Sequence, residues 1–315
     1  MARAGRTALL DQRGSGQHDR STSVDRYLSD QGAVLRLPPD FVADLLRLLE
    51  PACAARGTLP LADVEVLVGK AARVAYVVPA ARPFVSGLWG GLGAARRLAR
   101  FSAWQRTSVP CRRLCYSAAW MKALLSEAEA CPLRLERLVS PTLVVPSSDD
   151  MTIEFDASIY GGGGVLRAAT GIVVEYFSIV WQGDEALHLE VEPGVTAHQT
   201  FWEFATLLLS LCAWGDRFTQ SRVTVLGDNT GALNNALSFR GKGPLEAISR
   251  ELSWRQARRG WLFDVGHLPS EYNVVADALS RAADPKGVGW PSEALASAAD
   301  VSPPRLRDLW IANPR

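Results

Sequence analysis

The sequence predicts an α/β protein in which a five-stranded mixed sheet flanked by helices occupies residues 148–284 and follows a mainly helical module at 35–140. Three observations carry that expectation. Between 151 and 284 the apolar patterns run strand, strand, strand, helix, strand, then strand and helix. From 39 to 130 apolar residues recur instead at helical spacing. Four acids, Asp156, Glu203, Asp228 and Asp277, fall at strand ends or near helix starts, where side chains from separate elements can share one cleft.

Residues 1–34 are polar and interrupted by Gly14-Ser-Gly16 and Ser21-Thr-Ser23, which predicts a disordered tail. Pro38-Pro-Asp40 opens a helix capped near Asp40, and helical patterns continue through 61–76, 91–106 and 116–130. Pro141 to Pro146 reads as a linker. Glu154-Phe-Asp156-Ala ends a strand at 151–157, and the glycines 161–164 read as the turn of a hairpin whose second long strand is 171–181. Phe201, Phe204, Leu207, Leu208 and Leu211 line one face of a helix over about 197–214, with Glu203 beside that stripe. Arg222-Val-Thr-Val-Leu-Gly-Asp228 is a buried strand running into a turn, and Trp261 to His267 is a further strand. Pro269-Ser-Glu-Tyr is a turn, Asn273 an N-cap, and Asp277 lies one turn into the last helix, where its charge suits the dipole. The prolines 291, 303, 304 and 314 mark 285–315 as a partly ordered tail.

A net charge of +1 conceals an asymmetry. No acid occurs from Val66 to Ser126, whereas Lys70, Arg73, Arg82, Arg96, Arg97, Arg100, Arg106, Arg112, Arg113 and Lys122 do, interleaved with Trp89, Phe101, Trp104, Tyr116 and Trp120. Such a segment suits a phosphate backbone, with a solvated helical face as the plainer alternative. Five cysteines, odd in number and irregularly spaced, argue against a disulfide framework and for a reducing compartment. Cys111 and Cys115 lack a second ligand pair, so zinc is not expected. No apolar run reaches the roughly 18 residues of a membrane span, and Ala8-Leu-Leu10 is too short for a signal peptide. The expectation is an intracellular protein, cytoplasmic or nuclear, with no membrane partner.

Any of the four acids alone has a plain reading as a turn cap, a solvated helix charge or a dipole partner. Together they would repel strongly unless divalent cations neutralised them, and paired Mg²⁺ ions are what in-line phosphodiester cleavage uses. In residue type, order and secondary structure, residues 150–284 resemble the ribonuclease H domain of retroelement reverse transcriptases. The run His267-Leu-Pro-Ser-Glu-Tyr-Asn-Val-Val-Ala-Asp277-Ala-Leu-Ser-Arg281 is similar to the closing signature of retrotransposon polyproteins. Upstream, Leu67-Val-Gly-Lys-Ala-Ala-Arg73 and Val77-Val-Pro-Ala-Ala-Arg-Pro-Phe84 resemble the thumb and connection region, most like that of tyrosine-recombinase retrotransposons. No Tyr-x-Asp-Asp palm motif is present, so the chain is expected to be the carboxyl-terminal part of such an enzyme without its polymerase centre, with a separate polymerase region as a candidate partner.

The resemblance implies a ribonuclease H-like fold and cleavage of the RNA strand of RNA–DNA hybrids with two Mg²⁺ ions, Mn²⁺ substituting. Asp156 would bridge both ions, Asp277 would help hold the one that activates water, and Glu203 with Asp228 the one at the leaving oxygen. His267 would assist proton movement or product departure. Asn229 would touch ribose or phosphate, while Arg240, Lys242, Arg255, Arg258 and Arg259 would grip the DNA strand. Arg96, Arg97 and Arg100 would bind nucleic acid from the basic segment. The alternatives are an inactive nucleic-acid-binding remnant, which would show a damaged metal site, and another nuclease of the superfamily. Integrases place their glutamate last, unlike the order here.

Overall fold

The structure, a computed structural model, describes residues 25–29, 32–101, 107–126, 136–139, 147–186, 189–218, 222–286 and 289–309. The chain divides into two compact units, Met1–Val144 and Val145–Arg315.

In the first unit, strands β1 (Asp25–Ser29) and β2 (Gly32–Arg36) lead into α1 (Pro39–Ala52). There follow β3 (Thr58–Pro60), α2 (Leu61–Val77), α3 (Arg82–Phe101), β4 (Ser108–Pro110), α4 (Cys115–Leu125) and β5 (Glu136–Val139). The helices bury residues at helical spacing: Leu45 and Leu49, Val64, Leu67, Val68, Ala71 and Val74, Phe84, Leu88 and Leu92, Trp120 and Leu124. Phe84 stacks on Trp120 with ring centroids 5.2 Å apart, tying α3 to α4. Three features differ from the sequence reading. The expected tail ends in strand rather than disorder, because β2 pairs antiparallel with both β1 and β5, while 1–24 lie outside the described residues. Asp40 is not the cap of α1: Pro39 occupies the first turn, where a missing N–H costs nothing, and no side chain caps it. The helix expected from 91 begins at Arg82, and the expected linker 141–146 lies outside the described residues.

The second unit opens with β6 (Ser147–Ala157), β7 (Gly161–Ala168) and β8 (Val173–Val180), an antiparallel meander. After α5 (Gln199–Trp214) come β9 (Arg222–Gly227), α6 (Thr230–Ser238), α7 (Pro244–Arg259), β10 (Phe263–His267) and α8 (Val274–Ser280). The chain continues through α9 (Ser292–Leu295), β11 (Ala299–Asp300) and α10 (Leu306–Leu309). The sheet order is β10-β9-β6-β7-β8-β11, with β9 parallel to β6, β10 parallel to β9, and β11 parallel to β8. This is the expected mixed sheet flanked by helices, with a two-residue sixth strand added at one edge. Its core packs Phe155 and Phe177 from the sheet against Trp202, Phe204, Leu208 and Trp214 of α5, all fully buried.

The glycine run is where the sequence reading fails most instructively. Gly161 to Gly164 are not the turn; they are the first half of β7, and the turn is Ser158 to Tyr160. Successive strand residues face opposite sides. A Cβ at Gly163 would lie 2.5 Å from the Ala276 carbonyl oxygen and 2.7 Å from Ser280 N, so α8 sits on that face. A Cβ at Gly162 would lie 2.6 Å from Thr206 Oγ1, and one at Gly164 3.0 Å from Ser210 Oγ, so α5 covers the other. Glycine is required because two helices and the rings of Phe177 and Trp181 occupy the space of side chains.

The carboxyl end of α8 is tied down as well. Ser178 Oγ donates to the Leu279 carbonyl at 2.7 Å and Ser158 Oγ to the Ser280 carbonyl at 2.7 Å, satisfying acceptors that a helix end leaves open. Residues 289–309 are not a tail: Leu306 and Leu309 belong to the main core, and Arg305 pairs with buried Glu185 at 2.9 Å.

Gly163→Ala is expected to lower stability by about 1–3 kcal/mol through overpacking against α8, whereas Gly183→Ala, with nothing within 4 Å of the new Cβ, should stay within about 0.5 kcal/mol of the parent. Denaturant melts of the two variants compare them directly.

Candidate metal centre at the carboxyl ends of β6 and β9

Because β6 and β9 are adjacent and parallel, they end together. Asp156 is the penultimate residue of β6, and Asp228 follows the last residue of β9. Gly227 lets the Phe155 ring pack where a Cβ would lie 2.5 Å from it, so the two strand ends stay in close contact. Glu203 stands one turn into α5, whose first residue, Gln199, donates to the Ala157 carbonyl and anchors the helix start to the end of β6. Carboxylate oxygens of Asp156, Glu203 and Asp228 all lie within 4.8 Å of one another.

This closeness is costly in the absence of a cation. Asp156 and Glu203 are 5% and 3% exposed. Burial, followed by the charges of Asp228 and Asp277, pushes the Asp156 carboxyl up to about 7 against the hydrogen bond from Ser280 and the charge of Arg281. Burial, then the charge of Asp156, raises Glu203 well above the ordinary carboxylate range. The other buried carboxylates differ in their partners: Glu154, Glu185 and Glu251 are each paired with an arginine, Arg167, Arg305 and Arg255. Among the described residues, Asp156 and Glu203 have no such partner.

Each of the four acids is nevertheless held by a side-chain donor. Ser280 Oγ reaches Asp156 Oδ2 at 2.7 Å, Gln199 Nε2 reaches Glu203 Oε1 at 3.0 Å, Ser270 Oγ reaches Asp228 Oδ2 at 2.6 Å, and Arg281 Nε reaches Asp277 Oδ1 at 2.6 Å. Glu203 Oε2 is buried with no partner. An all-oxygen donor set with an unpartnered buried carboxylate oxygen, and with no arginine pairing Asp156 or Glu203 among the described residues, fits a hard divalent cation.

The remaining expected residues lie outside the three-carboxylate cluster. Asp277 lies on α8 near enough for its charge to act on Asp156, yet outside the three-carboxylate cluster. His267 is the exposed last residue of β10, in register with Gly227, the residue before Asp228, at the same sheet end. Arg240 and Lys242 are exposed in the loop between α6 and α7, which is held by the Gly241 N–H donating to Ser249 Oγ.

Others have structural occupations. Asn229 Oδ1 accepts from Ala232 N and caps α6. Arg255 is bound to Glu251 at 2.7 Å, Arg259 to Asp216 at 3.1 Å, and Arg258 lies over the Trp254 ring at 5.5 Å. In the first unit Arg96 pairs with Glu65 at 2.6 Å, Arg97 is exposed, and the Arg100 side chain lies outside the described residues. Lys70 and Lys122 pair with Asp44 and Glu50, acids that precede the acid-free segment in sequence and neutralise part of it in space. Asn273 does not cap α8 with its side chain; its Nδ2 donates to the Phe155 carbonyl at 2.8 Å.

Sequence patterning did not single out four supporting residues. Gln199 precedes Glu203 by one helical turn, and Ser280 and Arg281 follow Asp277 by one, so helical spacing could have found three of them. Ser270 carries no such signal.

With the fold and the carboxylates in place, comparison with known proteins adds likeness rather than identity. No family model matches the chain, and no curated protein does. Among solved structures it is similar to RNase H1 from the halophilic archaeon Halobacterium salinarum NRC-1, at 21% identity over 42% of this chain and 97% of that one, with a TM-score of 0.33. It is also similar to LC11-RNase H1, isolated from compost by a metagenomic approach, at 18% identity over 42% of this chain and 92% of that one, with a TM-score of 0.33.

The raised Asp156 carboxyl sets a pH dependence. Between about pH 4 and 7 the fold holds a proton there that the unfolded chain has released, so this contribution to stability falls as pH rises through that window. Above it the metal-free fold bears the full cost, on the order of 4 kcal/mol. Mg²⁺ should therefore raise the melting temperature more at pH 8 than at pH 5, and Asp156→Asn should be more stable than the parent at pH 8 without metal and lose most of the Mg²⁺ response. Thermal melts at both pH values, with and without Mg²⁺, read all three.

Proposed function

We propose that the second unit is a metal-dependent endonuclease that cleaves the RNA strand of RNA–DNA hybrids, in a chain derived from the carboxyl-terminal part of a retroelement reverse transcriptase. The observation that carries this reading is the contrast among buried carboxylates: those with arginine partners are structural, whereas Asp156 and Glu203 meet Asp228 within 4.8 Å and have none. The retroelement context rests on the run His267 to Arg281 and on the likeness of 67–84 to a thumb and connection region.

Asp156, Glu203 and Asp228 would hold the cations, with Asp277 entering from α8. Bound there, Mg²⁺ or Mn²⁺ supplies Lewis-acid activation of water and neutralises charge at the leaving oxygen of an in-line displacement. The protein's own part would be to keep Asp156, Glu203 and Asp228 together at one end of the sheet and to hold each of the four acids with a side-chain donor. His267, exposed at the same sheet end, would exchange a proton with solvent or the departing product. Arg240 and Lys242, presented by a loop whose backbone is tied to Ser249, are suited to phosphate contacts that position the duplex without reading its bases. Selection of the RNA strand would come from 2′-hydroxyl contacts and duplex shape. The products would carry 5′-phosphate and 3′-hydroxyl ends.

Incubation of the purified protein with labelled RNA–DNA hybrid should give cleavage that depends on Mg²⁺ or Mn²⁺ and stops with EDTA. Asp156→Asn should lower the rate by more than about a hundredfold, beyond what loss of a merely supporting partner costs. Full activity of that variant with metal present, or cleavage that survives EDTA, would sink the reading. Replacing Arg240 and Lys242 together by Gln should weaken hybrid binding and reduce its salt dependence by about one unit of log–log slope for each phosphate no longer neutralised. The rate at saturating hybrid should hold, and an unchanged salt slope would remove this loop from the interface.

A further inference from the structure

Ser280 belongs to neither the acids nor the basic residues, yet it occupies the most constrained position around them. It is 1% exposed at the end of α8. Its Oγ lies 2.7 Å from Asp156 Oδ2 and 2.9 Å from the Asp277 carbonyl, one helical turn back. One hydroxyl proton serves one acceptor at a time, and a buried carboxylate is the stronger acceptor. The backbone of the same residue is fixed from the other side, since its carbonyl accepts from Ser158 Oγ at 2.7 Å and a Cβ at Gly163 would lie 2.7 Å from its N–H nitrogen. Ser280 therefore cannot follow the Asp156 side chain if that side chain turns; the carboxylate must conform to the hydroxyl. Among the described residues it is the side-chain donor that reaches Asp156. Glu203 has a counterpart in Gln199, which holds Oε1 and leaves Oε2 without a partner.

We propose that Ser280 is a positioning residue for the metal centre: by holding Asp156 Oδ2 it fixes the rotation of that carboxylate, presents Oδ1 to the cation, and couples the placement of α8, with Asp277, to the strand that carries Asp156. The proposal rests on the metal-dependent reading above. Partners that orient a metal's ligands typically contribute ten- to a hundredfold to affinity or activity, and a donor built into a helix end that has no freedom to move does this without loss of side-chain entropy on binding.

The test separates positioning from packing. Mn²⁺ binding to the full metal-free chain is measured by the loss of the free-ion paramagnetic resonance signal, for the parent, Ser280→Ala and Ser158→Ala. The second variant loosens the end of α8 without removing the donor to Asp156. Expected is about a ten- to hundredfold weaker Mn²⁺ affinity for Ser280→Ala, a fall in kcat on hybrid with KM unchanged, and a much smaller loss of Mn²⁺ affinity for Ser158→Ala even where its melting temperature drops as far. Parental affinity in Ser280→Ala, or an equal loss in Ser158→Ala, overturns the positioning role and leaves the metal centre standing. Absence of Mn²⁺ binding by the parent overturns the metal centre and this proposal with it.

Discussion

The approach of α8 to the glycine strand is the contact on which the rest of the second unit depends. A helix normally keeps the thickness of two side-chain layers between its backbone and a sheet, and here one of those layers is missing. The backbone at Ala276 and Ser280 lies where the side chains of β7 would be. That closeness brings Ser280 within a hydrogen bond of Asp156 and places Asp277 at the same end of the sheet as β6 and β9. Serine hydroxyls from the β6–β7 turn and from β8 then take the place of the solvent that would otherwise satisfy the last carbonyls of the helix. Remove the glycines and the helix must rise, and the fourth acid rises with it.

The opposing constraint is electrostatic. A core containing Trp202, Phe204, Leu208 and Trp214 continues to the edge of Glu203, so the carboxylates are dehydrated by the packing that holds α5 in place. Elsewhere the same unit compensates buried acids with arginines, bidentately in the case of Glu154 and Arg167 at 2.7 and 2.9 Å. Leaving Asp156 and Glu203 without an arginine costs stability, as expected where buried acids are kept for a divalent cation rather than for the scaffold. The basic residues show the converse. Several that look free along the sequence are neutralised in space by Asp44, Glu50, Glu65, Asp216 and Glu251.

Much of this was legible in advance, and the reasons differ by feature. The strand and helix order of 151–280 could be read because burial imposes period 2 on β9 and period 3.6 on α5, and the strand-end positions of Asp156 and Asp228 followed from that order. The glycine run was misread because a turn and a closely covered strand demand the same residue for unrelated reasons, absence of steric clash in one case and absence of volume in the other. Asn273 was expected to cap a helix and instead binds the Phe155 carbonyl, on a strand far away in sequence. The arginine pairs on α7 were hidden for a simpler reason: Arg255 and Glu251 are one turn apart and could have been found, whereas Arg259 and Asp216 meet only after the chain has folded.

The docking of residues 289–309 has a consequence for how the second unit is made. Leu306 and Leu309 fill the same core as Phe155 and Trp214, Arg305 is the partner of buried Glu185, and β11 lies along β8. A chain emerging from the ribosome can pair β6, β7 and β8 early, since they are neighbours in sequence, but it cannot close that core until residue 309 has left the exit tunnel. Until then the β8 edge, the apolar face of α5 and the mutually repelling acids are all present together on an unfinished nascent domain, which makes the interval before residue 309 emerges the one in which protection by a chaperone has most to offer.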